Sequence, residues 1–251
     1  MKRILKKISK LILSLVVILA VVSTGAVMFE HYIYDYKGSS VVMLTRTEAA
    51  RSGGTGFQIK APSGKLFIMT NAHICKIGKE LFAHKQDGEK QKIKVIEIYK
   101  DHDLCLMEPV DGLKPLKIEE DIHLHERVWL IGHPALRPLT LESGHYAGEM
   151  DIKVYSRCSK KELKRVEEKL EKITDPTLDD FQEVLMAFAG YCLKDYNTQY
   201  INNISYGGNS GSPVVNKWGN VVGVLFAGSR GQPTSSYTVP LYEIHEFLEN
   251  K

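Results

Sequence analysis

Apolar and polar positions divide the chain into three regimes. Leu11 to Phe29, LILSLVVILAVVSTGAVMF, runs without a charge. As a helix that stretch is long enough to cross about 30 Å of hydrocarbon. From Gly38 onward the apolar residues come in short runs: GSSVVMLT over 38–45, KLFIMT over 65–70, QKIKVIEIY over 91–99, LCLM over 104–107 and RVWLI over 127–131. Pro62-Ser63-Gly64, Asp101-His102-Asp103 and Gly132-His133-Pro134 punctuate them. Alternation with period two, broken by glycine and proline turns, predicts strands packed as an all-β barrel or sandwich. Arg51-Ser52-Gly53-Gly54-Thr55-Gly56 reads as one more turn between strands. It is no phosphate loop, because no GK[ST] follows it.

At Ser159 the period changes. Ser159-Lys160-Lys161-Glu162 has capping-box spacing, and Leu163, Val166, Leu170 and Ile173 follow at helical intervals. After Asp175-Pro176-Thr177, a second amphipathic stretch carries Phe181, Val184, Leu185, Phe188 and Ala189. These predict a helical hairpin over 159–195 inserted into the β domain. Two surface helices without a role explain it as well as a lid or a partner-binding element does. The strand pattern then returns. NVVGVLF over 220–226 pairs back across Lys217-Trp218-Gly219, and a strand follows over 236–239. Pro240 opens a C-terminal helix that reaches Leu248.

Charge changes the picture at one end only. The chain carries 33 basic and 30 acidic residues. Lys2, Arg3, Lys6, Lys7 and Lys10 hold the surplus, leaving 28 basic against 30 acidic in the remainder. Nothing there predicts a nucleic-acid-binding surface. Positive charge before the apolar run and Glu30 after it place residues 1–10 in the cytoplasm and the body outside. Residues 11–29 read as a membrane anchor or as a cleaved signal peptide, for which Ser23-Thr24-Gly25-Ala26 offers small residues. The body is exported on either reading: anchored with its face extracytoplasmic, or secreted. Residues 30–37 form a linker and 38–250 the folded domain. Export permits disulfides. Of Cys75, Cys105, Cys158 and Cys192, the last two flank the helical segment and are the expected pair. Cys105, in an apolar strand, reads as a small core residue.

The candidate chemistry sits in Gly207-Gly208-Asn209-Ser210-Gly211-Ser212-Pro213. Glycines on both sides of a serine make a turn that exposes its hydroxyl beside convergent backbone N–H groups. A serine hydroxyl needs a base, and the base needs a carboxylate to fix its tautomer. His73 follows KLFIMT directly, and Asp103 opens DLCLM. The order His73, Asp103, Ser210 excludes an α/β-hydrolase, in which histidine comes last. His245 alone lies beyond the serine, in the terminal helix, and Ser212 breaks the G-x-S-x-G pattern. Asp101 is a weaker rival carboxylate, and His102 beside it reads as exposed. His123, His125 and His133 read as surface histidines. No metal and no cofactor is implied.

Thr70-Asn71-Ala72-His73 resembles the T-[NA]-A-H motif around the catalytic histidine of trypsin-like serine proteases. Asp103-Leu104-Cys105-Leu106-Met107 resembles their aspartate strand, and Gly208-Asn209-Ser210-Gly211-Ser212-Pro213 resembles their G-[DN]-S-G-G-P. Gly53-Gly54-Thr55-Gly56-Phe57 matches the G-[ST]-G-F sequence of the HtrA/Deg branch. The resemblance covers about residues 38–158 and 200–248. It implies two antiparallel six-stranded β-barrels with the site between them. It implies His73 as general base, Asp103 as its orienting carboxylate, Ser210 as nucleophile, and the N–H groups of Gly208 and Ser210 as oxyanion donors. Ile204 would lie at the base of the S1 pocket, with Phe226, Ala227 and Gly228 as its wall. The substrate would then be a protein or peptide with an apolar P1 residue. Asn209, where digestive relatives carry aspartate, implies no activation by a new N-terminus. No PDZ domain is expected after the catalytic domain, and no oligomeric state is assigned. The helical hairpin, together with Ser212 in place of a glycine, leaves a second reading open: a catalytically silent protease-fold module at the membrane.

Overall fold

The computed structural model describes residues 2–49, 52–158, 160–172, 177–229 and 235–251. Two closed barrels form the body. The first contains β1 (Val41–Thr45), β2 (Gly53–Lys60), β3 (Leu66–Asn71), β4 (Glu80–His84), β5 (Lys90–Tyr99) and β6 (Leu104–Met107). Their order around the barrel is β1-β2-β3-β6-β5-β4. The second contains β7 (Arg127–Gly132), β8 (Thr140–Arg157), β9 (Tyr191–Asn202), β10 (Pro213–Val215), β11 (Val221–Ser229) and β12 (Ser235–Val239), ordered β10-β11-β12-β9-β8-β7. Every pairing between these strands is antiparallel.

Burial explains which runs alternate and which do not. All four residues of β6 are buried, because one face lines the barrel and the other meets its neighbour. Val42, Leu44, Ile68, Leu81, Ile93 and Met107 fill the first barrel. Phe57, Ile59, Met69, Leu104 and Leu106 turn the other way and join Val128, Leu130, Val214, Val222 and Val224 in one core between and within the barrels. The cleft above this shared core is where side chains from both barrels can meet.

The structure corrects several sequence expectations. Gly53–Gly56 is the start of β2, not a turn. A Cβ on Gly54 would lie 2.7 Å from Ser210 O and 2.7 Å from Ile74 Cδ1, so glycine lets this strand approach the serine loop. Arg51 lies outside the described residues. Cys105 is not a free core residue: it is bonded to Cys75, while Cys158 bonds Cys192. The helical segment is shorter than its expected span. α3 (Lys160–Leu170) and α4 (Leu178–Phe188) cap an arm built by β8 and β9, so 191–195 is strand. Thr177 caps α4, its Oγ accepting from Asp180 N–H while Asp180 accepts from Thr177 N–H. Ser159, Ile173, Asp175 and Pro176 lie outside the described residues. Leu178, Phe181, Leu185 and Phe188 form an exposed apolar stripe on α4.

Three further helices complete the chain. α1 (Lys2–His31) contains the apolar run, and a π-helical segment, Tyr32–Lys37, continues it onto the second barrel. Ile33 there is fully buried, the Phe29 ring meets Trp129 edge-on at 5.1 Å, and Tyr34 Oη donates to Leu139 O at 3.2 Å. Among the described residues one helix is long and apolar enough to cross a membrane, and it is this one. α2 (Ala72–Cys75) is a single turn after β3, and α5 (Leu241–Leu248) closes the fold.

Candidate active site

His73 sits in α2, immediately after β3 ends. Its Nδ1 is 2.7 Å from Asp103 Oδ2, and its backbone N–H donates to Asp103 Oδ1 at 2.9 Å. Asp103 stands between a 3-10 turn, Lys100–His102, and β6, with φ 52° and ψ 37°. That left-handed conformation costs most residues 1–2 kcal/mol, and Asp tolerates it better than most. Its carbonyl is tied down as well, accepting from Ala72 N–H at 3.0 Å and from Asn71 Nδ2 at 3.1 Å. Four hydrogen bonds thus join residues 71–73 to one aspartate. An Nδ1–H aimed at the carboxylate leaves Nε2 free to accept a proton.

Asp101 makes no such contact with His73. His102 departs from expectation: it is half-buried, its Nδ1 2.8 Å from Glu243 Oε2, its ring 4.5 Å from that of Tyr99. Glu243 is buried in α5, and that burial pushes its carboxyl up despite the His102 partner.

Ser210 lies on the loop before β10. Gly208 and Gly211 have φ +96° and +85°, which only glycine adopts freely. A Cβ on Gly208 would reach His133 O at 2.5 Å, and one on Gly211 would reach Thr55 O at 2.1 Å. The loop is therefore clamped from both barrels. Among the described residues neither Gly208 N–H nor Ser210 N–H donates to a protein acceptor. Both donors are left for a ligand, as an oxyanion site requires. Ser210 Oγ makes no hydrogen bond to His73 Nε2. Such contacts are commonly loose without substrate and tighten in the Michaelis complex.

Thr55 is a residue the sequence reading missed. Its N–H donates to Ser210 O at 2.8 Å, and its hydroxyl donates to Gly208 O at 2.9 Å. That hydroxyl also accepts from His133 N–H at 3.1 Å, while Thr55 O accepts from Thr70 Oγ1 at 2.6 Å. One side chain in the first barrel thus holds the serine loop of the second. Its signal lay in the GGTG motif, read as a turn.

His133 is buried, not a surface residue. Its Nδ1 donates to Arg137 O at 2.9 Å, and its Nε2 has no protein partner. Burial holds its imidazole below the usual histidine range. Ala135 and Leu136, which follow it, both have positive φ, and Ala135 N–H donates to Gly207 O at 2.5 Å. His123 and His125 are exposed, as expected. Among the described residues no group of three metal-ligating side chains converges.

A cleft of about 660 Å³ opens beside Ser210. Ile204, Ser205, Tyr206, Phe226, Ala227 and Gly228 line it, and none of its lining residues is charged. Ile204 is 42% exposed, and Ser205 packs against Gly228, where a Cβ would lie 2.2 Å from its Oγ. β10 ends at Val215 and pairs with β11 only over 221–224, so residues 226–228 keep a free edge on that side.

The model of the trypsin-like peptidase domain family matches residues 54–224. The chain belongs to that family. The trypsin-like chain is 28% identical over 207 residues to the mitochondrial protein Do-like 12 of Arabidopsis thaliana, covering 78% of this chain and 33% of that one. It is 28% identical over 208 residues to a PDZ domain-containing protein of Schizosaccharomyces pombe, covering 81% and 18%. It therefore spans a third or less of these relatives. Among solved structures, the active form of the Rv3671c protease from M. tuberculosis aligns with a TM-score of 0.62 and 17% identity over 88% of this chain and 85% of that one. The serine endoprotease from Yersinia pestis aligns at 0.60 and 16%, over 87% and 65%. At these identities the likeness establishes the fold: the double barrel of HtrA-type proteases.

Proposed function

We propose that the trypsin-like domain is a serine endopeptidase that hydrolyses peptide bonds through an acyl-enzyme on Ser210. The observation that carries this reading is the His73–Asp103 hydrogen-bonded pair in the first barrel, together with a serine loop, tied to that barrel by Thr55, whose Gly208 and Ser210 N–H groups have no protein acceptor among the described residues. His73 Nε2 takes the Ser210 proton as Oγ attacks the scissile carbonyl. Asp103 holds the tautomer and stabilises the imidazolium. The N–H groups of Gly208 and Ser210 receive the oxyanion, each contributing about 3–4 kcal/mol. His73 then protonates the leaving amine, and water repeats the sequence in reverse to release the acid.

The uncharged cleft supports an apolar P1 residue, with Ile204, Phe226 and Ala227 supplying its surface. The free edge at 226–228 supports substrate binding as an added strand. Ser212, one of the two reasons to consider a silent module, is accommodated: its hydroxyl lies over Gly132, where a Cβ would be 2.0 Å away. The apolar run of α1, with basic residues in the helix's first turns before it, supports a retained anchor that holds the domain on the extracytoplasmic side.

A fluorophosphonate probe tests the reaction. Labelling of the folded chain that is lost in Ser210→Ala supports the peptidase; a folded chain that does not label supports the silent module. Peptides differing only at P1 test the pocket, with valine or leucine expected to exceed lysine in kcat/KM. Carbonate washing of membranes tests the anchor, and a mature N-terminus near Val27 would instead mean cleavage.

A further inference from the structure

The Cys75–Cys105 disulfide spans the two segments that present the histidine and the aspartate. Cys75 lies two residues after His73, and Cys105 lies two residues after Asp103. Both are buried, at 3% and 0% exposure. The cross-link joins the end of α2 to the middle of β6, across the hinge where Asp103 takes its left-handed conformation.

α2 has little of its own to hold it. It is one turn, and an isolated turn is not a stable helix in water, because nucleation costs more than one turn of hydrogen bonds returns. Asn71 at its start gives no side-chain cap: its Nδ2 donates to Asp103 O, and its Oδ1, the atom that would cap, has no partner. The N-terminal half of the turn is held by the four hydrogen bonds to Asp103. Its C-terminal half is held by Ile74 packed toward Gly54 and by the disulfide. Cys105 pairs with Thr70 in the β3–β6 ladder, so the chain must fold back from Thr70 for Cys75 to reach it. The bond therefore closes a small loop, 70–75 against 103–105, with His73 and Asp103 inside it.

We infer that Cys75 and Cys105 are positioning residues, whose bond fixes His73 against Asp103 and so sets the rate of acylation. The inference rests on the catalytic roles proposed above. It separates two effects that any disulfide can have. Cys158–Cys192 closes a loop of nearly the same length, with a sequence separation of 34 against 30, at the far end of the β8–β9 arm. The loop-entropy model therefore gives the two bonds near-equal contributions to stability. They differ in what lies between the linked segments.

The test compares Cys75→Ala/Cys105→Ala with Cys158→Ser/Cys192→Ser in the full chain. Both are expected to lower Tm. Only the first is expected to lower kcat for a peptide substrate, about tenfold or more with KM little changed. It should also broaden or abolish the low-field proton resonance of His73 Nδ1–H. Wild-type kcat and an intact resonance in the first variant overturn the inference, as does equal loss in both. If the alanine pair does not fold, Cys75→Val/Cys105→Ala, which restores most of the buried volume, takes its place. A wild-type chain that fails to label with fluorophosphonate overturns the proposed reaction instead. The resonance still judges the positioning in that case.

Discussion

At the scale of the residue, the serine loop is held by exchanges between pairs. Ser212 stands where the G-[DN]-S-G-G-P motif that this loop resembles has glycine, and its side chain is fully buried with no partner for the hydroxyl. Gly132 on β7 supplies the missing space. Gly132→Ala should therefore destabilise by about 1–3 kcal/mol, the usual cost of overpacking. Ser212→Gly should rescue it in the double variant with a coupling near 0.5–3 kcal/mol, read from urea midpoints. Additive losses would show that the two residues do not share that space. Thr55 makes the second exchange, since its hydroxyl serves Gly208 O and His133 N–H at once. Thr55→Val keeps the shape and loses both bonds, so acylation should fall about 10- to 100-fold while the fold survives. Thr55→Ser should recover most of that rate; equal rates in Val and Ser would remove Thr55 from the machinery. The sequence carried the His73, Asp103 and Ser210 motifs because each is local. Gly132 was hidden because its partner Ser212 lies more than 75 residues away and nothing nearby marks it; Thr55 lay inside a legible motif, but its loop partners are as distant, so its role was not.

At the scale of the element, local pattern served the strands well and failed at two joints. β3, β5, β6 and β7 were legible as apolar runs, because burial on one or both faces imposes that pattern. Gly53–Gly56 read as a turn, because glycine marks turns and close approach alike. The helical span was drawn too long because β9 leaves the barrel with alternate residues exposed, which blurs its border with α4. The arm itself is modular: α4 packs on β9, α3 packs on α4, and the apolar stripe faces outward. Arg157 and Tyr191 are register partners, so an Asn-Gly turn can join them in place of 158–190. The shortened chain should fold, and Ser210 labelling should stay within about threefold of wild type. A loss of tenfold or more would make the arm part of the catalytic site, as the lid reading requires.

At the scale of the whole molecule, the two barrels share one hydrophobic core, and the proposed chemistry lies at the seam above it. The sequence indicated two barrels only through resemblance, since periodicity alone does not say how twelve strands divide. Their seam is polar where it matters, with Thr55 on one side and Gly208 and His133 on the other. His133 makes that seam sensitive to acid. Its Nδ1–H is committed to Arg137 O, so protonation would place a hydrogen on Nε2, which is buried without an acceptor. The folded state therefore resists the proton, and burial holds the imidazole below its usual value. The unfolded chain takes that proton near pH 6.5. Between pH 6.5 and the folded value the unfolded state binds more protons, so stability rises with pH and falls on acidification. The slope is up to about 1.4 kcal/mol per pH unit for one such group. His84, also held low by burial, adds in the same direction. His133→Phe removes the first contribution. Its stability loss between pH 7.5 and 5.0, from urea midpoints at each pH, should be smaller than wild type, by no more than about 2 kcal/mol over that window. Parallel curves for the two proteins would mean that the acid sensitivity of the fold lies elsewhere than at this seam.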